Sequence, residues 1–406
     1  MVEKLSVKDV DVRGKTVLVR VDYNVPIEDG KVADDTRIKA SLPTINYLLD
    51  NGCKIILMSH LGRPKGIEED KRLNPLAVKL SELINRSVKK VDHTICEAVT
   101  AEVERLLPGE ILLLENLRFN EGEKENDPDF SKKLARLADI YVNDAFGAAH
   151  RAHASTYGVP QLIKTSVAGF LLNKELDNFD YLLKNPKHPF YTVLGGSKVG
   201  DKIGVIDKLL DIVDALFAGG GMLFTFLKAK GLEIGNSLVE ERQIDYAKKM
   251  LEKAERNKVD FYLPVDIVIA KEAKPGVEHK VVKIDEIPSG WMGLDIGPET
   301  SKMYAEKLAE AKTIFWNGPM GVFEIDEYSN GTKIVAEAIA GATATTIVGG
   351  GDSDRALRKY DLEENISFVS TGGGASLKIL EGSTLPGIEV LQDKGSHYEQ
   401  AKEAGS

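Results

Sequence analysis

The sequence is poor in cysteine and tryptophan, with 2 of each in 406 residues. Cys53 and Cys96 are too few to form a disulfide framework in a chain of this length, so we expect both thiols to be free. His93 and Cys96 share a His-x-x-Cys spacing, but a structural zinc site needs a second pair of ligands, and none accompanies this one. These scarcities exclude a disulfide-stapled fold and disfavour a zinc domain.

Long apolar runs are also absent. No stretch approaches the roughly 20 apolar residues that span a bilayer, and residues 1–7 lack the apolar core of a signal peptide. The composition, 43% hydrophobic and 29% charged with a mean hydropathy of −0.17, is typical of soluble globular proteins. We therefore expect a cytoplasmic protein without a membrane partner.

Positive charge is in deficit. The chain has 53 Lys and Arg against 63 Asp and Glu, a net charge of −10 and a pI near 5.4. General binding to nucleic acid or to an anionic membrane requires a basic face, so we expect no nucleic-acid partner. Against this acidic background, any local cluster of arginine and histidine is informative.

The length and the order of apolar runs predict two α/β domains. A chain of 406 residues exceeds what one hydrophobic core usually serves. Short apolar runs, typical of buried parallel strands, alternate with helix-like stretches such as 37–50 and 75–84. A helix-like segment that ends at Pro186 and Pro189 separates this half from a second half with the same rhythm.

Four strands of the first half end in arginine or histidine. Each such residue alone is more often a solvated surface charge. Ligands of parallel sheets bind beyond the carboxyl ends of the strands, however, so the repetition predicts a basic pocket for a small, multiply charged anion. The polar residues at these ends are Arg20, Asp22, Asn24, Arg37, His60, Arg63, Arg118, His150, Arg151 and His153.

Strands of the second half end in glycine instead, at 195–196, 219–221, 349–351 and 372–374. Bare backbone of this kind suits phosphate groups or a flat base. After the first cluster, Lys198 and Lys202 are four residues apart. If a helix begins directly after the glycines, both ammonium groups lie on one face near its positive end. The alternative is a solvated turn with two surface lysines.

The two common nucleotide-binding loops are missing. A Walker loop fails because Gly200 follows Gly196 one residue too early and Asp201 precedes Lys202. The last glycine of the dinucleotide fingerprint is replaced in each triple-glycine cluster, by Phe224, Asp354 and Leu377. An NAD enzyme of the usual type is therefore disfavoured.

An ordered set of motifs resembles the phosphoglycerate kinase family. The motifs are Arg20-Val21-Asp22-x-Asn24-Val25-Pro26, Asp35-Thr36-Arg37-Ile38, Ser59-His60-Leu61-Gly62-Arg63-Pro64, Glu115-Asn116-Leu117-Arg118-Phe119, Asn143-Asp144-Ala145-Phe146-Gly147-x-x-His150-Arg151, Gly195-Gly196-Ser197-Lys198-Val199-x-Asp201-Lys202, Trp316-Asn317-Gly318-Pro319, Gly350-Gly351-Asp352-Ser353 and Ser370-Thr371-Gly372-Gly373-Gly374-Ala375. They follow the family order over nearly the whole chain.

The resemblance implies an α/β fold of two Rossmann-like, doubly wound parallel-sheet lobes joined by a hinge helix. We place a 3-phosphoglycerate-binding lobe at 1–168, the hinge at 169–186 and a nucleotide-binding lobe at 187–382. A polar segment at 383–406 is expected to be disordered or to return to the first lobe. The implied reaction is reversible phosphoryl transfer from ATP to 3-phosphoglycerate, which gives ADP and 1,3-bisphosphoglycerate in glycolysis and gluconeogenesis.

Site residues are carried over from the family motifs by position. Substrate binding is implied for Asp22, Asn24, Arg37, His60, Leu61, Gly62, Arg63, Arg118 and Arg151. Nucleotide binding is implied for Lys202, Gly293, Asn317, Glu324, Gly350, Gly351, Asp352 and Ser353, with Mg²⁺ on Asp352. Donors to the transferred group would be Arg37, Lys198 and the backbone N–H groups of Gly351 and Gly374.

The sequence disfavours two other classes of function. A non-catalytic sensor on the same fold would have lost catalytic residues, yet the whole set is present. A nucleic-acid binder that uses the basic pocket conflicts with the net charge of −10. We expect a monomeric enzyme. One departure from the family is Gly200, where Ser or Ala is more common, and it is expected to loosen the start of the following helix.

Overall fold

The structure, a computed structural model, describes residues 2–395. The end of the polar tail, 396–406, lies outside the described residues. The chain divides into two compact units: unit 1 comprises Met1–Asp177 and Thr384–Ser406, and unit 2 comprises Asn178–Ser383. No helix within residues 2–395 combines the length and apolar character needed to cross a membrane.

Unit 1 is built on a sheet of six parallel strands. The strands of unit 1, including two that form a separate hairpin, are β1 (Thr16–Val21), β2 (Ile27–Glu28), β3 (Lys31–Val32), β4 (Lys54–Met58), β5 (Val88–Lys90), β6 (Ile111–Leu113), β7 (Ile140–Asp144) and β8 (Thr165–Ala168). The parallel order is β5-β6-β4-β1-β7-β8, and β2 pairs with β3 in an antiparallel hairpin. The central strands are buried along most of their length, which explains their continuous apolar sequences.

Seven α-helices connect or follow these strands. They are α1 (Thr36–Asp50), α2 (Asn74–Ile84), α3 (Glu97–Arg105), α4 (Glu121–Glu125), α5 (Pro128–Ala135), α6 (Val159–Leu162) and α7 (Phe170–Lys184). The boundary between the two units falls within α7. The buried carboxylate of Asp144, at the end of β7, accepts hydrogen bonds from the N–H groups of Leu171 at 2.9 Å and Leu172 at 3.2 Å. Asp144 thus satisfies backbone donors that the first turn of a helix leaves without partners.

Unit 2 contains a second six-stranded parallel sheet and a smaller antiparallel one. Its strands are β9 (Phe190–Leu194), β10 (Ala215–Ala218), β11 (Asp260–Tyr262), β12 (Asp266–Ala270), β13 (His279–Lys283), β14 (Met292–Ile296), β15 (Thr313–Asn317), β16 (Thr345–Gly349) and β17 (Phe368–Val369). The parallel order is β11-β10-β9-β15-β16-β17, and β13-β12-β14 form the antiparallel sheet.

The helices of unit 2 after α7 are α8 (Ile203–Leu209), α9 (Leu223–Ala229), α10 (Ile244–Asn257), α11 (Pro298–Leu308), α12 (Asn330–Gly341), α13 (Gly351–Lys359) and α14 (Gly373–Leu380). The last described helix, α15 (Pro386–Glu389), belongs to unit 1. Each unit has its own apolar core, with Val19 and Leu57 in unit 1 and Phe217 and Trp316 in unit 2. Two cores and two parallel sheets confirm the predicted fold class of two α/β lobes.

The antiparallel sheet of unit 2 is not among the predicted elements, which include no strand between residues 222 and 312. Its edge strand β13 is largely exposed and rich in polar residues, so it lacks the continuous apolar run of a buried strand. Strand β12 contributes Ile267 and Ile269 to the core of unit 2. The sheet supplies one wall of the site described below.

Both ends of the described chain meet at the edge of the unit 1 sheet. The N–H of Leu5 donates to the carbonyl of Gln392 at 2.8 Å, and the N–H of Gln392 donates to the carbonyl of Ser166 at 3.0 Å. Lys4 forms an ion pair of 2.7 Å with Asp393. The segment after unit 2 is therefore part of the fold of unit 1.

Candidate active site

An anion pocket is formed at the carboxyl ends of three adjacent strands in unit 1. Strand β1 lies beside β4, and β4 lies beside β6. Asp22 directly follows β1, His60 follows β4 and Arg118 lies in the turn after β6. Since these strands are parallel, their following residues share one edge of the sheet.

Arg37 and Asp22 form a charged pair in this pocket. Arg37 lies in the first turn of α1, and its guanidinium donates to the carboxylate of Asp22. Burial raises the pKa of Asp22, but the positive charges of Arg37 and Arg20 outweigh it and leave the pKa below its usual value. Asp22 is therefore an anion at neutral pH and orients Arg37.

His60 is buried and neutral. Burial and the neighbouring charges of Arg20 and Arg118 hold the pKa of its imidazole well below the usual range. Its Nδ1 lies 3.1 Å from Nη2 of Arg20. Because a guanidinium can only donate, Nδ1 accepts and the imidazole proton sits on Nε2. His60 thus offers an N–H donor without a charge.

One hydrogen-bond donor of Arg118 has no partner among the described residues. Its Nη1 donates to the carbonyl of Gly62 at 2.5 Å, whereas its Nε is buried and has no hydrogen-bond partner among residues 2–395. Burial and the nearby charge of Arg151 lower the pKa of Arg118 to about 10, so it stays charged at neutral pH. A buried donor without a partner is costly unless water or a ligand satisfies it.

The turn that holds Leu61 and Gly62 is fixed by its neighbours. The N–H of Gly62 donates to the side-chain oxygen of Asn24 at 2.8 Å. The amide group of Asn116 accepts from the N–H of Leu61 at 3.2 Å and donates to its carbonyl at 2.8 Å. Gly62 adopts φ +65°, a conformation that favours glycine. This rigid turn leads to Arg63, which is exposed.

Arg151 and two histidines lie in the segment after β7. Nε of Arg151 donates to Nε2 of His150 at 3.1 Å. Burial lowers the pKa of His153 to about 4, so it too is neutral. In unit 1 the structure brings Asp22, Arg37 and His60 together and bonds Arg118 to the turn that follows His60, while Arg63 remains on the surface.

Unit 2 contains a cavity of about 360 Å³. Glycines from two strand ends, Gly196, Gly220 and Gly221, line one side. The other walls are largely apolar, with Glu324 and Asp352 among the polar groups. A concave apolar space with a few polar groups suits a flat aromatic ligand such as a base. The apolar residues are Leu223, Phe224, Leu238, Met292, Leu294, Met320 and Val322.

Two helix N-termini adjoin in unit 2. Gly350 precedes α13 with φ +98°, and Gly372 precedes α14. A Cβ placed on Gly373 would lie 3.5 Å from Cα of Gly350 and 3.8 Å from the amide nitrogen of Gly351, so the two turns approach closely. The first N–H groups of both helices lack partners within their own helix and favour an anion.

The expected arrangement of Lys198 and Lys202 on one helical face is wrong. The α-helix begins only at Ile203, after a single 3₁₀ turn over Gly200–Lys202. Lys198 is exposed, whereas Lys202 is buried and donates to the carbonyls of Gly195 and of Asn317, the latter at 2.7 Å. The pairing of β9 with β15 continues into the glycine loop, since the N–H of Gly195 donates to the carbonyl of Asn317 at 3.0 Å.

Other predicted positions hold the loops in place. Asn317 is buried and donates to the carbonyl of Gly349 at 2.8 Å, and the hydroxyl of Ser353 accepts from the N–H of Gly318 at 2.6 Å. The N–H of Gly200 donates to the carboxylate of Glu240 at 2.8 Å. Of the positions implied for the nucleotide, those that line the cavity are Gly293, Glu324 and Asp352.

Sequence reasoning missed the apolar walls of the cavity. Leu238 and Met292 lie between residues 222 and 312, where no element is predicted. Val322 lies beyond Trp316, at which a predicted strand ends. No periodic pattern marks such residues, because each is a single side chain brought in by a different loop. The one sequence feature that indicated this region was Gly293, for which the family resemblance implies nucleotide binding.

One parallel β-sheet ends in an anion pocket, and the other ends in a glycine-lined cavity. Together these features define the class of a two-lobed phosphotransferase. The sequence profile described as Phosphoglycerate kinase matches residues 7–383. The chain therefore belongs to the phosphoglycerate kinase family, as its motifs predicted. It is a kinase whose family transfers a phosphoryl group to a carboxyl acceptor in glycolysis.

Individual relatives agree with this assignment. The chain is 52% identical to the phosphoglycerate kinase of Dictyoglomus turgidum, with 96% of this chain and 98% of that protein aligned. It is 53% identical to a cytosolic phosphoglycerate kinase 3 of Arabidopsis thaliana, with 96% and 98% aligned. The solved phosphoglycerate kinase of Coxiella burnetii is similar with a TM-score of 0.85 at 43% identity, over 95% of this chain and 98% of that one.

Proposed function

We propose that this protein transfers the γ-phosphoryl group of ATP to the carboxylate of 3-phosphoglycerate, and the reverse, through the residues described above. The observation that supports this best is the division of chemistry between the units. Arginine and histidine follow the strands of unit 1, and glycine follows those of unit 2. The first set suits a small polyanionic acid, and the second suits a nucleotide.

Unit 1 would bind the acid. The free Nε of Arg118 and the Nε2–H of His60 are donors to its anionic groups, with Arg63 and Arg151 adding charge. Asn24, Leu61 and Gly62 shape the turn against which the acid lies, and Asp22 aims Arg37. Arginine grips carboxylate and phosphate through paired N–H donors, which fixes the orientation of the acid.

Unit 2 would bind the nucleotide. The base would occupy the apolar cavity against Gly293, with Glu324 near the ribose. The phosphates would extend toward Lys202, Asn317, Gly350 and the first turn of α13, which contains Gly351, Asp352 and Ser353. Free backbone N–H groups at a helix start are suited to phosphate oxygens.

The chemistry needs positioning and neutralisation of charge more than proton transfer. A carboxylate oxygen of 3-phosphoglycerate forms a bond to the γ-phosphorus as the bond to the β–γ bridging oxygen breaks, and ADP leaves. The carboxylate is already ionised at neutral pH, so no general base is required. We propose Arg37, Lys198 and the N–H groups of Gly351 and Gly374 as donors to the three equatorial oxygens.

Mg²⁺ is proposed as the metal, bound at Asp352. This carboxylate is exposed in the first turn of α13, and its ion pair of 2.8 Å is with the equally exposed Arg355. Groups of three or more acidic, histidine or cysteine side chains that could hold a metal are absent from residues 2–395. One carboxylate fits Mg²⁺, which takes its other ligands from water and substrate phosphates. When bound, the ion would neutralise charge on the phosphates.

A coupled assay tests the proposed function. We expect ATP, 3-phosphoglycerate and Mg²⁺ together to support turnover, and EDTA in excess to abolish it. Restored activity on adding Mg²⁺ back is the control for damage by the chelator. Absence of turnover in every combination would refute the proposed function. Unchanged turnover in EDTA would refute only the requirement for Mg²⁺.

Gly293→Ala is expected to weaken nucleotide binding. A Cβ at this position would lie 2.1 Å from Cζ of Phe224, a ring that lines the cavity. This overpacking forces the ring to move, and a ring displaced into the cavity narrows the space for the base, so we expect KM for ATP to rise about tenfold while KM for 3-phosphoglycerate is unchanged. Gly341→Ala is the matched control, because a Cβ there has no neighbour within 4 Å. An unchanged KM for ATP in Gly293→Ala would contradict the placement of the base.

We expect Lys202 to take up a proton when the nucleotide binds. Burial lowers the pKa of this ammonium to about 7. Phosphates beside it favour the charged form, so its pKa rises in the complex and affinity falls as pH increases above about 7. Calorimetry in buffers of different ionisation enthalpy measures the uptake, and Lys202→Met is expected to abolish it. No uptake by the wild type would contradict contact with the phosphates.

We further propose that the enzyme works as a monomer in the cytoplasm on small molecules alone. The acidic net charge of −10 supports the lack of a nucleic-acid partner, and the cytosolic relative from Arabidopsis thaliana supports the location. Light scattering at several concentrations tests the monomer. A salt titration of affinity for random DNA, measured beside that for 3-phosphoglycerate, tests the partner.

A further inference from the structure

A buried chain of hydrogen bonds runs behind the anion pocket of unit 1. It begins at Glu123 in α4, whose side chain is fully buried. The carboxylate of Glu123 accepts from the backbone N–H of Ser155 at 3.0 Å and from its hydroxyl at 2.6 Å. The hydroxyl oxygen of Ser155 accepts in turn from Nε of Arg20 at 2.8 Å. Nη2 of Arg20 then reaches Nδ1 of His60 at 3.1 Å.

Chemistry fixes the direction of every bond in this chain. Arg20 has only donors, so both Ser155 and His60 must accept from it. The single hydroxyl proton of Ser155 is then available only to Glu123, an acceptor when ionised. At the other end, Nδ1 of His60 is occupied as an acceptor. The chain therefore determines which nitrogen of His60 carries the proton that faces the pocket.

A competing acceptor lies close to His60. Oδ1 of Asp22 is 3.9 Å from Nδ1 of His60, too far for a hydrogen bond in the present arrangement. If Arg20 withdrew, Asp22 would favour a proton on Nδ1. Nε2 would then present a lone pair to an anion and repel it. The position of the Arg20 guanidinium decides between these two tautomers.

Glu123 holds the Nε side of the Arg20 guanidinium in position through Ser155, while Nη1 donates to the carbonyl of Val21. The guanidinium of Arg20 is buried in the centre of the sheet, with 1% of the residue exposed, and a buried charge needs compensation. Ser155 bridges it to the Glu123 carboxylate, while the hydroxyl of Tyr141 fixes Ser155 by donating to its carbonyl at 2.8 Å. Without the carboxylate, at most one of the two donors of Ser155 keeps an acceptor on residue 123. The guanidinium of Arg20 then keeps the bond from Nη1 to the carbonyl of Val21 as its backbone anchor.

We propose that Glu123 is a positioning residue for the acid site: through Ser155 and Arg20 it keeps the imidazole proton of His60 on Nε2, where it donates to the anionic substrate. Glu123 and Ser155 lie outside the motifs that suggested the family. The inference rests on the proposed function for the identity of the anion, 3-phosphoglycerate, but the tautomer of His60 is a property of the protein without ligand.

The test is NMR of the full-length protein labelled with ¹⁵N in histidine, with His60→Gln to assign the signal. Wild-type protein is expected to show neutral His60 with the proton on Nε2. In Glu123→Gln and in Ser155→Ala, we expect a shift of the proton toward Nδ1 and a rise in KM for 3-phosphoglycerate of about tenfold or more, with KM for ATP unchanged. Glu121→Gln, an exposed acid of the same helix, is the matched control and leaves both readouts as in the wild type.

Retention of the Nε2 proton in both variants would overturn the proposal, whatever their kinetics. If Glu123→Gln does not fold, Ser155→Ala decides, since it removes the hydroxyl bridge and leaves the backbone bond to Glu123. A tautomer shift in a protein without kinase activity would overturn the proposed function and support the role of Glu123 in orienting His60. The two proposals therefore fail separately.

Discussion

Lys198→Ala is expected to lower turnover at least about a hundredfold and to leave the stability of the protein unchanged. The side chain is exposed, and within residues 2–395 it forms neither an ion pair nor a hydrogen bond. Its removal thus costs the resting protein nothing. In our proposal its charge acts only on the phosphoryl group in transit, so the loss should appear in kcat with little change in either KM.

Steady-state kinetics and thermal unfolding together check this expectation. Lys208→Ala is the matched control, because Lys208 is another exposed lysine, in the neighbouring helix α8. It should match the wild type in both measurements. Near-normal turnover of Lys198→Ala would remove this lysine from the mechanism.

Arg37→Ala is expected to lower turnover by a similar factor, at least about a hundredfold, and also to destabilise unit 1. The variant leaves the buried carboxylate of Asp22 without the guanidinium that pairs with it. An unsatisfied buried charged group costs about 1–3 kcal/mol or more. Here a loss of turnover and a loss of stability accompany each other, in contrast to Lys198→Ala.

The stability loss in Arg37→Ala should depend on pH with a definite sign. In the wild type the pKa of Asp22 is below its usual value, so its ionised form adds stability at neutral pH that is lost as pH falls through the folded pKa. Without Arg37, burial raises that pKa, and the unpaired charge is costly at neutral pH. Denaturant unfolding at neutral and acidic pH measures this. Equal losses at both would contradict the pairing, and Arg37→Lys should recover more stability than turnover.

The parallel sheets were predictable because their strands have continuous apolar sequences. Val17 to Val21 and Ile55 to Met58 are buried on both faces of the sheet, so nearly every residue is apolar. Among the antiparallel strands, β12 has a short, mostly buried apolar run from Ile267 to Ala270, but β13 gives no such signal. In β13 most residues, such as His279 and Lys280, face solvent, and the pairing of this strand with β12 depends on contacts far from it in sequence.

The anion pocket was predictable for a related reason. Parallel strands deliver the residues that follow them to one edge, so Asp22, His60 and Arg118 could be grouped before any contact was known. Details of charge and protonation could not be predicted. That His60 is neutral follows from burial and from Arg20, neither of which can be read from spacing. The burial of Lys202 depends likewise on the carbonyls of a distant loop.

The return of the chain to unit 1 has a consequence for biosynthesis. The pairing of Leu5 with Gln392, and of Gln392 with Ser166, joins segments translated at opposite ends of the described chain. The whole of unit 2 leaves the ribosome before the residues that complete the edge of unit 1. Unit 1, although synthesised first, is thus the last to be finished, because the edge of its sheet stays incomplete until residues 392 and 393 have left the ribosome.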